Sequence, residues 1–254
     1  MKHDYKNKTV IITGGTRGIG EAIAVEFYQK GMSVVVGARH DNGFIKRLGR
    51  RARFLSMDVR LEADHRSLVQ VALNWTKRVD VYINCAGFSK WCPIEKVDQN
   101  FWDEMIDVNL KGTFLGCKVA SRFLPKGGCI INVSSIAGKR GSANNTVYCA
   151  SKFGVTGLTQ ALAKELGPRG IRVNALCPVY VETRELLKAL SDRESPAAGG
   201  DVKTYLKGFS LQNAALKRLP SAGEVARTCF FLASPDASAI TGQSINVDCG
   251  VLLQ

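Results

Sequence analysis

Residues 9–20 read TVIITGGTRGIG, an apolar run that ends in glycines and passes directly into a segment with helical periodicity. Thr9–Thr13 has the β-branched, continuously apolar character of a strand buried on both faces. Gly14 lets the chain turn sharply, and Gly18 removes a side chain so that the backbone can approach a pyrophosphate. Gly20 permits close packing of helix on strand. The helix that opens there turns unpaired N–H groups and a partial positive charge toward such an anion. The spacing is G-x-x-x-G-x-G, a variant of the commoner G-x-G-x-x-G.

Outward from this turn the same alternation runs to the end of the chain. Strand-like runs occur at Thr9–Thr13, Ser33–Gly37, Arg53–Ser56, Val79–Asn84, Cys129–Ser134, Arg172–Cys177 and Ser244–Val247. Ile19–Lys30, Phe101–Leu124 and Tyr148–Leu166 carry apolar residues at helical intervals of three and four. Strand–helix–strand repetition requires right-handed crossovers and a parallel sheet. The predicted architecture is therefore one α/β domain over residues 1–254, a Rossmann-type doubly wound sheet of seven parallel strands with helices on both faces. His40 to about Ala52 leaves room for only a turn or two of helix. Ser191–Asp201, SDRESPAAGGD, reads as a mobile loop inside a lid at about residues 180–211.

Composition narrows the function. The 254 residues are 45% hydrophobic and 22% charged, which suits one globular core. No stretch reaches the ~18 uninterrupted apolar residues of a membrane helix. The opening MKHDYKNKTVIITGG passes from charge into a strand with no cleavage site, so a cytoplasmic protein with no membrane partner is expected. The eight cysteines are scattered, without a C-x-x-C pair, and predict reduced thiols and no metal. Net charge is +13, and residues 1–60 hold twelve Lys and Arg against five Asp and Glu. The densest cluster is Lys46, Arg47, Arg50, Arg51 and Arg53, flanked only by Phe44 and Phe54, with no nucleic-acid-binding motif. It reads as a solvated basic face, with an electrostatic funnel for a phosphorylated cofactor or acidic substrate as the alternative.

Tyr148 and Lys152 are four apart and share one helix face. A free tyrosine has a pKa of about 10, too high for proton exchange near neutrality. An ammonium about 4 Å away is worth roughly 4 kcal/mol at an effective dielectric near 20, enough to lower that pKa by about three pH units at most. On this reading Tyr148 protonates a carbonyl oxygen or deprotonates an alcohol.

Further segments fall in a recognisable order. They are Asn84-Cys85-Ala86-Gly87, Asp107-Val108-Asn109-Leu110-Lys111-Gly112, Val133-Ser134-Ser135 with Gly138, and Tyr148-Cys149-Ala150-Ser151-Lys152. Pro178 to Thr183 and Thr241-Gly242-Gln243 through Asp248 follow. Together with the glycine turn they resemble the short-chain dehydrogenase/reductase family over nearly the whole chain. The resemblance implies an enzyme whose catalytic residues are Asn109, Ser135, Tyr148 and Lys152. Ser135, thirteen residues before Tyr148, would hydrogen-bond the substrate oxygen, and Asn109 would hold a water leading to Lys152. Ser134 should point the other way by strand alternation.

The resemblance also implies a nicotinamide dinucleotide, bound by Gly14, Thr16, Arg17, Gly18, Ile19, Gly20, Arg39, Asp58, Val59, Asn84, Ala86, Gly87, Pro178, Val181 and Thr183, with Tyr148 and Lys152. NAD-preferring members carry an acidic residue after strand two. Here Gly37-Ala38-Arg39 has none, and Arg39 with Arg17 suits a phosphate, so NADP(H) is expected over NAD(H). The motif set is nearest to 3-oxoacyl thioester reductases. An NAD-dependent alcohol, sugar or steroid dehydrogenase and a non-catalytic NADP-sensing protein are the alternatives. The partners implied are a small carbonyl or alcohol substrate and copies of the chain, as a homotetramer or, failing that, a dimer. Substrate walls are expected at Phe88–Pro93, Ile136–Thr146 and Tyr180–Leu211. Val179 and Cys249 stand where the family has glycine.

Overall fold

Seven strands form one parallel sheet in the computed structural model, which describes residues 4–253: Thr9–Thr13 (β1), Ser33–Ala38 (β2), Ala52–Ser56 (β3), Val81–Asn84 (β4), Cys129–Val133 (β5), Arg172–Pro178 (β6) and Ser244–Val247 (β7). Their order is β3-β2-β1-β4-β5-β6-β7, the predicted doubly wound sheet. Every residue of β1 is buried, because alternate side chains feed two cores. Val10 and Ile12 pack with Ile23 and Phe27 of Gly18–Gln29 (α1) and Val225 and Cys229 of Ala222–Ala233 (α9). Ile11 faces the opposite core, with Leu68 and Ala72 of Glu62–Thr76 (α3) and Val119 and Ala120 of Gly112–Phe123 (α5).

The order reverses between β1 and β4, so the turns that leave these two strands meet at one edge, where ligands bind in open α/β sheets. The meeting is tight. A Cβ on Gly14, whose φ is +70°, would lie 2.7 Å from the Cα of Ala86. Between β2 and β3 only Phe44–Leu48 (α2) is helical, the short element expected.

The single helix predicted over Phe101–Leu124 is instead Gln99–Ile106 (α4), a π-helical turn at Asp107–Lys111, and α5. The apolar period runs through the break, so sequence periodicity does not register the wider turn. Such π turns recur at functional sites, and this one carries the fully buried Asn109.

After β6 come Arg184–Leu190 (α7) and Val202–Asn213 (α8), whose Leu190 and Leu206 close on buried Trp91. The loop between them is tethered: Ser195 Oγ donates to the Leu190 carbonyl, and Glu194 pairs with Lys96. Cys249 has φ +55°, the left-handed conformation that makes glycine the usual occupant there, whereas Val179 sits in ordinary backbone. The basic cluster is only partly a solvated face. Arg51 stacks on Tyr28 at 4.0 Å and bonds two carbonyls, and Arg53 stacks on Trp75 at 4.2 Å. Among the described residues no helix is long and apolar enough to cross a membrane.

Candidate active site

β5 delivers two serines to the crevice, and strand alternation sends them opposite ways. Ser134 turns inward, its Oγ donating to the Lys152 carbonyl at 3.1 Å. Ser135 faces the other way, accepting from the Ala137 N–H at 3.1 Å and donating to the Pro178 carbonyl at 3.4 Å. The helix Thr146–Leu166 (α6) brings Tyr148 in its first turn, hydrogen-bonded to Ser135. One turn on, Lys152 is buried, with Nζ 5.7 Å from the Tyr148 ring centroid. Gly138 permits this packing, since a Cβ there would sit 2.6 Å from the Lys152 carbonyl oxygen.

The electrostatics reverse one expectation. Burial pushes the Tyr148 phenol up to about 12, with the Ser135 hydrogen bond pulling only partly back. Lys152 does not draw it down. Its ammonium donates to the Val133 carbonyl at 2.9 Å, and burial lowers its own pKa to about 8. Desolvation outweighs the ion–phenol attraction inferred from spacing. With the phenol pushed up in this way, Tyr148 keeps its proton through the neutral range.

Asn109 is spent chiefly on backbone. Its Oδ1 accepts from the Phe88 N–H at 3.0 Å and its Nδ2 donates to the Phe88 carbonyl at 2.9 Å, clamping the turn after β4. A Cβ on Gly87 would stand 3.0 Å from that Oδ1 and 3.5 Å from Lys152 Nζ. Gly87 therefore leaves open the space that the amide and the ammonium share.

The glycine turn can hold an anion. Among the described residues no side chain caps α1, so its first N–H groups are open to an anion. Gly18 has φ +55°, and a Cβ on Gly20 would lie 2.2 Å from the Gly14 carbonyl oxygen. Asn42 Nδ2 braces the turn through the Thr16 carbonyl at 2.8 Å. Arg17 is not free, however. It pairs with Glu185 of α7 at 3.5 Å, and that carboxylate lies 3.3 Å from the Cβ position of Gly18. Arg39 is exposed at the end of β2. Asp58 is held by a bidentate pair with Arg60, which lowers its pKa.

Asn84 departs from its expected place. Its side chain is buried, donating to Asn132 Oδ1 at 2.9 Å, so only the backbone of its segment reaches the crevice, as at Ala86 and Gly87. Ile19, half-buried, opens α1, while Thr183 caps α7, accepting from the Leu186 N–H at 3.2 Å. Val181 is buried beside the turn.

Sequence reading missed Glu185 and His65. His65 is buried, with Nε2 on the Val59 carbonyl and Nδ1 on the Tyr82 hydroxyl, each at 2.8 Å, and it holds the Asp58-Val59 turn against β4. A lone helical histidine gave no signal for this.

Residues 14–252 match the family model described as enoyl-(acyl carrier protein) reductase. The chain is 35% identical over 254 residues to the 3-oxoacyl-(acyl carrier protein) reductase of Chlamydia trachomatis, covering 96% of this chain and 97% of the relative. A short-chain dehydrogenase/reductase of Brucella melitensis, named for glucose/ribitol dehydrogenase, superposes with TM-score 0.90 at 30% identity over 100% of both chains. A phenylalanine-to-tryptophan variant of actinorhodin polyketide ketoreductase, solved with NADPH, gives TM-score 0.88 at 31% identity, over 96% of this chain and 97% of that one.

Proposed function

The chain belongs to the short-chain dehydrogenase/reductase family, and from that membership we propose that it reduces 3-oxoacyl thioesters to the alcohol with NADP(H). It is an oxidoreductase that uses a nicotinamide cofactor. The observation that carries the finer reading is the convergence of Ser135, Tyr148 and Lys152, from a strand end and a helix start, around one point. Two hydroxyl groups side by side, Ser135 and Tyr148, favour an oxygen as the atom acted on, hence a C=O group.

The glycine turn, Asp58-Val59, Ala86-Gly87, Arg39 and the Pro178–Thr183 stretch would hold the dinucleotide, with Tyr148 and Lys152 at its reactive end. A bound nicotinamide supplies the hydride. Ser135 donates a hydrogen bond that orients the ketone oxygen, and Tyr148 gives that oxygen its proton. The Lys152 ammonium stabilises the phenolate left behind, and the space beside Gly87 admits a water between Asn109 and Lys152 for proton return. Residues 180–211 act as the lid. Exposed Trp102, Phe114 and Phe153 on α4, α5 and α6 support a homotetramer, with a dimer as the alternative. The expected address is the cytoplasm.

A ketone and aldehyde panel read by NADPH absorbance tests the activity, and no turnover on any member would reject it. Cofactor choice is tested separately. Arg39→Ala should weaken NADPH binding roughly tenfold to a hundredfold, from the loss of one charge-assisted hydrogen bond, and leave NADH binding nearly unchanged. Glu185→Gln, which frees Arg17 and removes a carboxylate from the anion site, should strengthen binding of both. Equal effects of Arg39→Ala on the two cofactors, measured by fluorescence titration, would reject the phosphate clamp.

A further inference from the structure

We propose that the group carried beside the reacting ketone is a planar aromatic ring, gripped by Tyr180, Tyr205 and Phe209, and not a saturated acyl chain. This rests on the carbonyl-reductase reading above and narrows its substrate. Tyr180 lies two residues beyond Pro178, whose carbonyl is the acceptor of Ser135. The Tyr180 ring meets Phe209 edge-on at 4.9 Å and Tyr205 at 6.1 Å. The two tyrosine hydroxyls are 3.4 Å apart.

All three rings are half-buried, as is Tyr148. Large aromatic side chains that pack on one another yet keep open surface beside a reactive centre present ring edges and faces to whatever enters. Beneath them Trp91 is buried with Leu190 and Leu206, and its indole N–H has no acceptor among the described residues.

Aromatic rings prefer edge-to-face and offset contacts, which add selectivity beyond the area they bury. Each such contact is worth roughly a two- to tenfold preference over an aliphatic group of similar size. A saturated chain gains only the area term. Tyr180 follows β6, while Tyr205 and Phe209 stand one turn apart on α8, so the meeting of Tyr180 with the other two is a feature of the fold.

The test compares two 3-oxo esters, ethyl benzoylacetate and ethyl butyrylacetate, by kcat/KM with NADPH. The native enzyme should favour the aryl ester by about tenfold or more. Phe209→Leu and Tyr205→Leu, which keep apolar volume, should each cut that ratio roughly two- to tenfold, while Tyr205→Phe keeps it. Thermal melts establish that the variants are folded. A native preference for the butyryl ester, or leucine variants that lower both substrates equally, overturns the proposal alone. No turnover of either ester by enzyme that still binds NADPH overturns the carbonyl-reductase reading, and this proposal with it.

Discussion

Tyr148→Phe should reduce ketone turnover by between about a hundredfold and ten-thousandfold, the range that a positioned general acid contributes. Dinucleotide binding should survive. The ring and its packing are kept, and Ser135 retains its bonds to the Ala137 N–H and the Pro178 carbonyl, so no buried polar group is orphaned. The measurement pairs single-turnover rates with fluorescence titration of NADPH. Because the native phenol sits near a pKa of about 12, it holds its proton at every ordinary assay pH. Reduction should therefore show no loss attributable to Tyr148 as pH rises toward neutrality, whereas alcohol oxidation should accelerate with pH. A phenylalanine variant within a few-fold of the native rate would remove Tyr148 from the chemistry.

Lys152→Met should be nearly as damaging, and its effect should be legible in the pH profile. The folded-state pKa of Lys152 is lowered to about 8, so the ammonium is present below that pH and lost as pH rises through it. The native reduction rate should be level below pH about 8 and fall above. In the methionine variant the remaining rate, down about a hundredfold or more, should lack that fall. Cofactor affinity should weaken too, through the residue's place at the reactive end of the crevice. A native profile that stays flat through pH about 8, or a variant that keeps the same inflection, would show that another group titrates there. The variant also leaves the Val133 carbonyl without its donor, so a lower melting temperature is expected.

These outcomes bear on which parts of the site were legible in the sequence. The Tyr148–Lys152 pair was, because a spacing of four on a helix fixes a shared face whatever surrounds it. The glycine turn was, because only glycine tolerates the positive φ at Gly14 and Gly18 beside neighbouring backbone. The opposite directions of Ser134 and Ser135 followed from strand alternation alone. The protonation behaviour was not legible. Spacing suggested a phenol drawn down by a lysine, but desolvation depends on every atom packed around the pair, and it dominates both groups.

The sequence by itself determined what local geometry can encode: seven strands at nearly the right places, the parallel order they force, the glycine turn after β1, and the residues at the strand ends. Tertiary structure decided what depends on partners distant along the chain. It turned Asn84 inward onto Asn132, set Glu185 against Arg17, bridged His65 to Tyr82 and Val59, and gathered Tyr180, Tyr205 and Phe209 above Trp91. It also opened the π turn at Asn109, which the apolar period runs straight through. The physical reason is common to all of these. Backbone propensity and side-chain periodicity are properties of a few consecutive residues, whereas burial, pairing and desolvation are set by whichever surfaces the fold brings together.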